Sequence, residues 1–208
     1  MRVGIIGAGS LGSALGERLG AAGHEVMFGG AATALEAARR TRARVGANWE
    51  AASFAEVLAL AVPYAAVDGA LEEAGALEGK VLWSCVNALK RDMSGLAIGF
   101  HTSAAEEVAR RAPRARVLAA IPPLANPPAC SHLCYDAQLA PSVFVCGDDA
   151  AAKLLVTGLV EDLGAHPVDA GPLVSARLVE PAMMLLVRLA YADLPRDLGL
   201  RLLERCRA

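Results

Sequence analysis

The chain has 208 residues, 55% of them hydrophobic and only 4% aromatic, with a formal net charge of −2. That length allows a sizeable core, built here from aliphatic side chains and alanine. So small a charge gives no electrostatic case for nucleic acid or an anionic membrane surface, and no apolar run reaches the roughly 18 residues of a membrane helix.

The first element is an apolar strand, Arg2–Ile6, which runs into Gly7-Ala8-Gly9-Ser10-Leu11-Gly12 and then a helical run from Ser13 to Ala22. The apolar start after Arg2 has the look of a secretory leader. Glu17 and Arg18 interrupt it, and the glycines fall on a different pattern, so a soluble cytoplasmic protein is expected. In that pattern Gly7 permits a tight turn, Gly9 lets a pyrophosphate approach the backbone, and Gly12 lets helix pack on strand. The turn Gly23-His24 and a second strand, Glu25–Phe28, complete a βαβ unit of the length a dinucleotide site needs.

Gly29, Gly30 and Ala31 follow at the place where such domains choose between cofactors. An acid there holds a ribose hydroxyl and an arginine holds a 2′-phosphate, and Gly29 to Thr33 contain neither. A helix is predicted from Ala34 to Arg44, with Arg39, Arg40 and Arg42 read first as a solvated face. Ala55 to Tyr64 reads as a buried parallel strand, Ala65 to Glu78 as its return helix, and Lys80 to Asn87 as another buried strand. Ligands of open α/β sheets bind outside the carboxyl ends of strands, which makes Val62, Pro63, Tyr64 and Asn87 candidate cofactor contacts.

Asp92 to His101 reads as a loop. Ser103, with Glu106 three residues on, marks a helix start, and Arg116 to Ile121 a further strand. The proline-rich Ile121-Pro122-Pro123 to Pro128 cannot be helical and reads as a pocket wall or a stiff connector. Cys130, His132 and Cys134 lack the spacing of a zinc site, so no metal is expected. The five cysteines are expected to be reduced, and no nucleophile or catalytic acid announces itself. Ser142–Cys146 is a short strand, Asp148 an N-cap for a helix running to Leu163, and His166–Asp169 the last strand. A long helix from Leu173 to about Ala192 carries Leu178, Met183, Leu185, Leu186 and Leu189, and should be buried in the protein or against a second subunit, with a kink at Pro181. Leu194 to Arg207 reads as a final amphipathic helix.

Together these motifs resemble the NADP-dependent coenzyme F420 oxidoreductases. The likeness rests on the N-terminal glycine turn, Gly23-His24-Glu25, Ala61-Val-Pro63-Tyr64, Ser103-Ala-Ala-Glu106 and Ile121-Pro122. Most specific are Val145-Cys-Gly-Asp-Asp149, Val168-Asp-Ala-Gly-Pro-Leu173 and Ala176-Arg-Leu-Val-Glu-Pro181. The resemblance implies an α/β fold: a Rossmann-type, doubly wound, mostly parallel sheet with a small C-terminal αβ lobe. Residues 1–140 would form the dinucleotide domain, and 141–208 would complete the pocket and the contact of a homodimer. It implies NADP, with NAD possible, and F420 or a flavin as co-substrate. Gly9, Ser10 and Leu11 would hold the pyrophosphate; Val62, Pro63, Tyr64 and Val67 would border the path from adenosine to nicotinamide. Ile121, Pro122, Pro123 and Leu198 would line the deazaflavin side. No catalytic side chain is implied, because hydride passes directly between rings. The family's usual Ser-Arg is replaced by Gly30-Ala31, and its frequent His-Thr before Ile-Pro by Ala119-Ala120. Besides hydride transfer to a deazaflavin or flavin, two other functions fit: a tailoring reductase of a small C=C or C=N bond, and a non-catalytic dinucleotide-binding protein.

Overall fold

The computed structural model describes residues 1–30, 32–123, 139–191 and 198–205. Among these residues eight strands are formed: β1 (Arg2–Ile6), β2 (Glu25–Gly29), β3 (Arg44–Gly46), β4 (Val57–Leu60), β5 (Val81–Ser84), β6 (Arg116–Ala119), β7 (Ser142–Gly147) and β8 (His166–Asp169). They make one sheet in the order β3-β2-β1-β4-β5-β6-β7-β8. Neighbours pair in parallel, except that β7 runs antiparallel to β6. The order reverses between β1 and β4, and at such a switch point the connections leave in opposite directions and open a crevice.

Alternation along the strands loads both faces of the sheet. Val3, Ile5, Val57, Ala59 and Trp83 share one core with α1 (Ser10–Ala21), α2 (Ala32–Thr41) and α6 (Ala150–Asp162). Ile6, Leu58, Leu60 and Leu82 share the other with α3 (Asn48–Phe54), α4 (Val67–Ala74), α5 (Ala104–Arg111) and α7 (Ala176–Tyr191). This is the doubly wound α/β fold that the resemblance implies. Trp83, the largest fully buried side chain, is tolerated because its Nε1 donates to the carbonyl of Ala120 at 2.8 Å.

The expected elements are present with several corrections. α1 begins at Ser10 rather than Ser13, so Gly9 is its N-cap. α2 stops at Thr41, and the alanine-rich chain beyond it forms the short β3 and α3, which carry too few residues for a clear period. The strand expected over Ala55 to Tyr64 is only Val57–Leu60; Tyr64–Ala66 form a 3₁₀ turn leading into α4. Ser103 does cap α5, accepting from the amide of Glu106 at 3.2 Å. Asp149, not Asp148, caps α6 by accepting from the amide of Ala152 at 2.7 Å. Asp148 instead accepts from the amide of Leu173 at 3.0 Å, tying the 3₁₀ turn Leu173–Ser175 to the end of β7.

The segment 198–205 is not helical. Ser142 donates its amide to the carbonyl of Leu200 at 2.6 Å, and Leu202 donates to Ser142 Oγ at 3.0 Å, so the chain lies against the start of β7. That tertiary pairing outweighs the amphipathic pattern. The helix expected from Leu173 is α7 after its 3₁₀ turn; it contains Pro181 and buries Met183. Leu178, Leu185 and Leu189 are exposed, at 74%, 57% and 38%. No helix among the described residues is long and apolar enough to cross a membrane.

Candidate functional site

The glycine turn closes the carboxyl end of β1, at the switch point. Gly7 has φ of +99°, and a Cβ on it would lie 2.4 Å from the carbonyl of Ala61 at the end of β4. A Cβ on Gly12 would lie 1.8 Å from the carbonyl of Gly7, so the helix rests directly on the turn. Gly9 differs from both. Its φ of −72° and ψ of −167° are open to any residue, and a Cβ there would meet no protein atom within 4 Å. Nothing in the fold requires glycine at this position, and the space beside it is free for a ligand.

The same geometry leaves an anion site. The first amides of α1, at Ser10, Leu11 and Gly12, have no acceptor within the helix. Gly9 offers no side-chain cap, and the first turn carries no acid. Free N–H groups and the positive end of the helix dipole therefore face the open side of Gly9.

Gly29 and Gly30 stand at the carboxyl end of β2, and Gly30 has φ of +114°. Ala31 lies outside the described residues. Asn48, the first residue of α3, packs against this end and carries no mark in the sequence that would single it out. Its Oδ1 lies 2.7 Å from where a Cβ on Gly29 would sit. Its Nδ2 donates to Glu73 Oε2 at 2.8 Å, and its Oδ1 is buried without a hydrogen-bond partner. The only local signal was Glu50, whose carboxylate reaches back to the amide of Ala47 at 2.7 Å.

The arginines of α2 are elsewhere. α2 runs back from the carboxyl edge, and its last residue, Thr41, approaches Gly20 in the last turn of α1. Arg44 opens β3 and lies 3.6 Å from Glu25, the first residue of β2. Arg39, Arg40, Arg42 and Arg44 are thus at the amino edge, the far side of the sheet from Gly30.

Beyond the turn lies an apolar cavity of about 260 Å³. Leu11, Asn87, Ile121, Pro122, Pro123 and Leu198, which the sequence reading assigned to two separate groups, line it together. Val62 borders the turn, 2.8 Å from the Cβ position of Gly7. Pro63 is exposed and Tyr64 half-buried at the end of β4, while Val67 is buried in the core, where it supports this corner from below. Burial, followed by the charge of Glu107, raises the Tyr64 hydroxyl above its ordinary pKa, so it stays neutral. The cavity also has residues that the sequence reading missed: Cys85, Leu89, and Met183, Leu186, Val187, Ala190 and Tyr191 of α7. The apolar period of α7 marked burial but could not say against what.

Two polar groups touch this cavity from the chain just beyond β5. Burial pushes the Cys85 thiol far above the ordinary range, so it is a neutral wall atom and not a nucleophile. Asn87 donates Nδ2 to the carbonyl of Glu180 at 3.2 Å, and since a carbonyl only accepts, this contact fixes the orientation of the amide. Its Oδ1 is left buried without a partner. Among the described residues no group of three or more His, Cys, Asp or Glu could hold a metal ion; Cys130, His132 and Cys134 lie outside them.

The model of the NADP oxidoreductase, coenzyme F420-dependent, family matches residues 2–88. The curated F420-dependent NADP reductase of Methanothermobacter marburgensis is 31% identical to this chain, over 97% of this chain and 98% of that protein. A crystal structure from Arthrobacter sp. FB24, provisionally described as an F420-dependent NADP reductase, superposes with a TM-score of 0.81 at 26% identity, covering 97% and 99% of the two chains. An imine reductase from Pseudomonas sp. shares the fold, with a TM-score of 0.66 at 17% identity over 92% of this chain and 62% of that one.

Proposed function

Because the chain belongs to the F420-dependent NADP oxidoreductase family, we propose that it passes a hydride between NADP(H) and a deazaflavin of the F420 kind, or a flavin. The observation that carries this reading is the open side of Gly9 against the uncapped amides of α1. The fold keeps a glycine there that only a ligand needs.

The residues fit such a pair of rings. Ser10, Leu11 and Gly12 offer their amides to the pyrophosphate. Gly29, Gly30 and Asn48 border the adenosine end, and Val62, Pro63 and Tyr64 the path between the two ends. When bound, the two rings supply the hydride donor and acceptor. Leu11, Ile121, Pro122, Pro123, Leu198 and the α7 wall would pack against the rings and shed water from them. Asn87 Oδ1 is positioned to accept from a ring or carboxamide N–H. No acid, base or nucleophile is needed, since positioning and a dry pocket provide the rate. Residues 1–140 carry the dinucleotide, and 141–208 supply α7 and Leu198. The test is anaerobic: NADPH is supplied and the visible absorbance of the oxidised deazaflavin, or of a flavin, is followed. Bleaching supports the reading. NADPH that binds by calorimetry while neither ring is reduced overturns it.

We also propose a homodimer. Leu178, Leu185 and Leu189 recur at intervals that place them on one stripe of α7, Val174 stands in the 3₁₀ turn before it, and all four are exposed. A stripe of this kind is costly in water and stable against a second copy. Sedimentation should give a dimer at micromolar concentration. The double variant Leu178→Glu, Leu185→Glu should weaken association by about two orders of magnitude; a monomeric parent protein would contradict the proposal. A cytoplasmic location fits the two buried free thiols, Cys85 and Cys146.

A further inference from the structure

Glu180 is a charged side chain without a place in the chemistry above. It is 2% exposed, within Ala176-Arg-Leu-Val-Glu-Pro181, and lies one residue before Pro181 on α7. Its carboxylate accepts from the amide of Ala104 at 2.8 Å and from that of Ala105 at 3.1 Å, the opening amides of α5. Its own carbonyl accepts from Asn87 Nδ2. One residue thus joins three parts of the site: the start of α5, the carboxyl end of β5, and the helix whose next three turns form the cavity wall.

We propose that Glu180 is a positioning residue of the ring pocket: its side chain docks α7 on α5, its carbonyl aims Asn87, and its loss of a proton loosens both. The inference rests on the hydride-transfer reading for its consequence, but not for its existence.

The direction follows from burial. Desolvation raises the Glu180 carboxyl from its ordinary value to about 7, against the opposing pull of the α5 amides and of the Ala88 amide. The docked state therefore holds the proton more tightly than any state in which Glu180 reaches water. Docking is strongest below the ordinary carboxyl value of 4.5, weakens as pH rises from there to about 7, and changes no further above it. The charged neighbours do not reverse this. From α5 the facing group is Glu106, whose charge raises Glu180 further. Glu106 is itself held low by a two-pronged bond from Arg177 of α7, at 2.7 and 2.9 Å. Tyr64, from the 3₁₀ turn before α4, and Cys146, from β7, feel the Glu180 charge and are both pushed up, so neither offers it a counter-charge.

Two measurements on the whole chain test this. In the unmodified protein, NMR should show the backbone amides of Ala104 and Ala105 and the side-chain amide of Asn87 shifting together with one midpoint near pH 7. This requires no ligand, so it stands or falls apart from the proposed reaction. The second measurement is steady-state turnover of NADPH with the deazaflavin. The KM for the deazaflavin should rise about fivefold as pH climbs toward the midpoint and level off above it, with kcat changing less, and Glu180→Gln should hold the low-pH KM at every pH. Amides of Ala104 and Ala105 that do not titrate overturn the proposal. So does titration at α5 that leaves Asn87 unmoved, which would make Glu180 a helix cap alone, and so does a Glu180→Gln enzyme that keeps the parent pH profile.

Discussion

Gly9→Val leaves the protein folded and removes dinucleotide binding, whereas Gly12→Ala, a smaller change three residues on, damages the fold itself. At Gly9 the backbone angles are open to any residue and a Cβ meets no protein atom. The cost to stability is that of a poorer N-cap, a Tm shift of about 3 °C or less. The cost to binding is larger, because the new side chain fills the space from which a pyrophosphate reaches the α1 amides. Losing two such charge-assisted hydrogen bonds corresponds to a loss of about 100-fold or more in NADPH affinity. At Gly12 a Cβ would sit 1.8 Å from the carbonyl of Gly7, and backbone cannot yield as the end of a flexible side chain does. The turn and helix must separate, at a cost of about 3 kcal/mol, which for a chain of this size lowers Tm by about 10 °C. Thermal melting and calorimetry with NADPH on both variants check the pair. A Gly9→Val protein that binds like the parent would mean that the open side of the turn is not the ligand site.

These glycines also show how far the sequence could be read. Their spacing, with strand before and helix after, has few physical solutions, so the βαβ unit and its place in the sheet were legible. The cavity was legible in pieces. Asn87 and Ile121 to Pro123 were found because strand ends and prolines leave local marks. Met183 and Leu186 were seen as apolar but not as walls, since a helical period does not name the partner it packs on. Asn48 was invisible: α3 has seven residues, too few for a period, and its importance arises from β2 lying beside it. Glu180 was quoted only as part of a motif, because a carboxylate that caps another helix from 75 residues away leaves no sign in its own neighbourhood. Of the helix expected over Leu194 to Arg207, the described residues 198–205 are not helical for a related reason, and the rest lies outside the described residues. Hydrogen bonds from and to Ser142 tie Leu200 and Leu202 to the start of β7, and no local pattern records them.

Ala31→Arg raises the affinity for NADPH by about tenfold or more and leaves that for NADH nearly unchanged. The family's usual Ser-Arg at positions 30 and 31 is here Gly-Ala, and no cation stands between Gly29 and Thr33. The arginines of α2 and β3 cannot substitute, because they lie at the amino edge of the sheet. What the fold does bring to the end of β2 is Asn48, an uncharged amide already bonded to the carboxylate of Glu73. Among the described residues these surroundings give a 2′-phosphate no cation and a nearby negative charge, so the unmodified protein should favour NADPH over NADH by less than about tenfold. One arginine supplies the missing partner, and its gain should shrink with added salt, as expected of an exposed charge pair. The serine of the family pattern should not be introduced with it: Gly30 has φ of +114°, which a side chain adopts only under strain. Calorimetric titration with each dinucleotide at low and moderate ionic strength decides the matter. A parent protein that already prefers NADPH by 100-fold would show that the phosphate is read from a different element, and the adenosine end would then have to be placed away from Gly30 and Asn48.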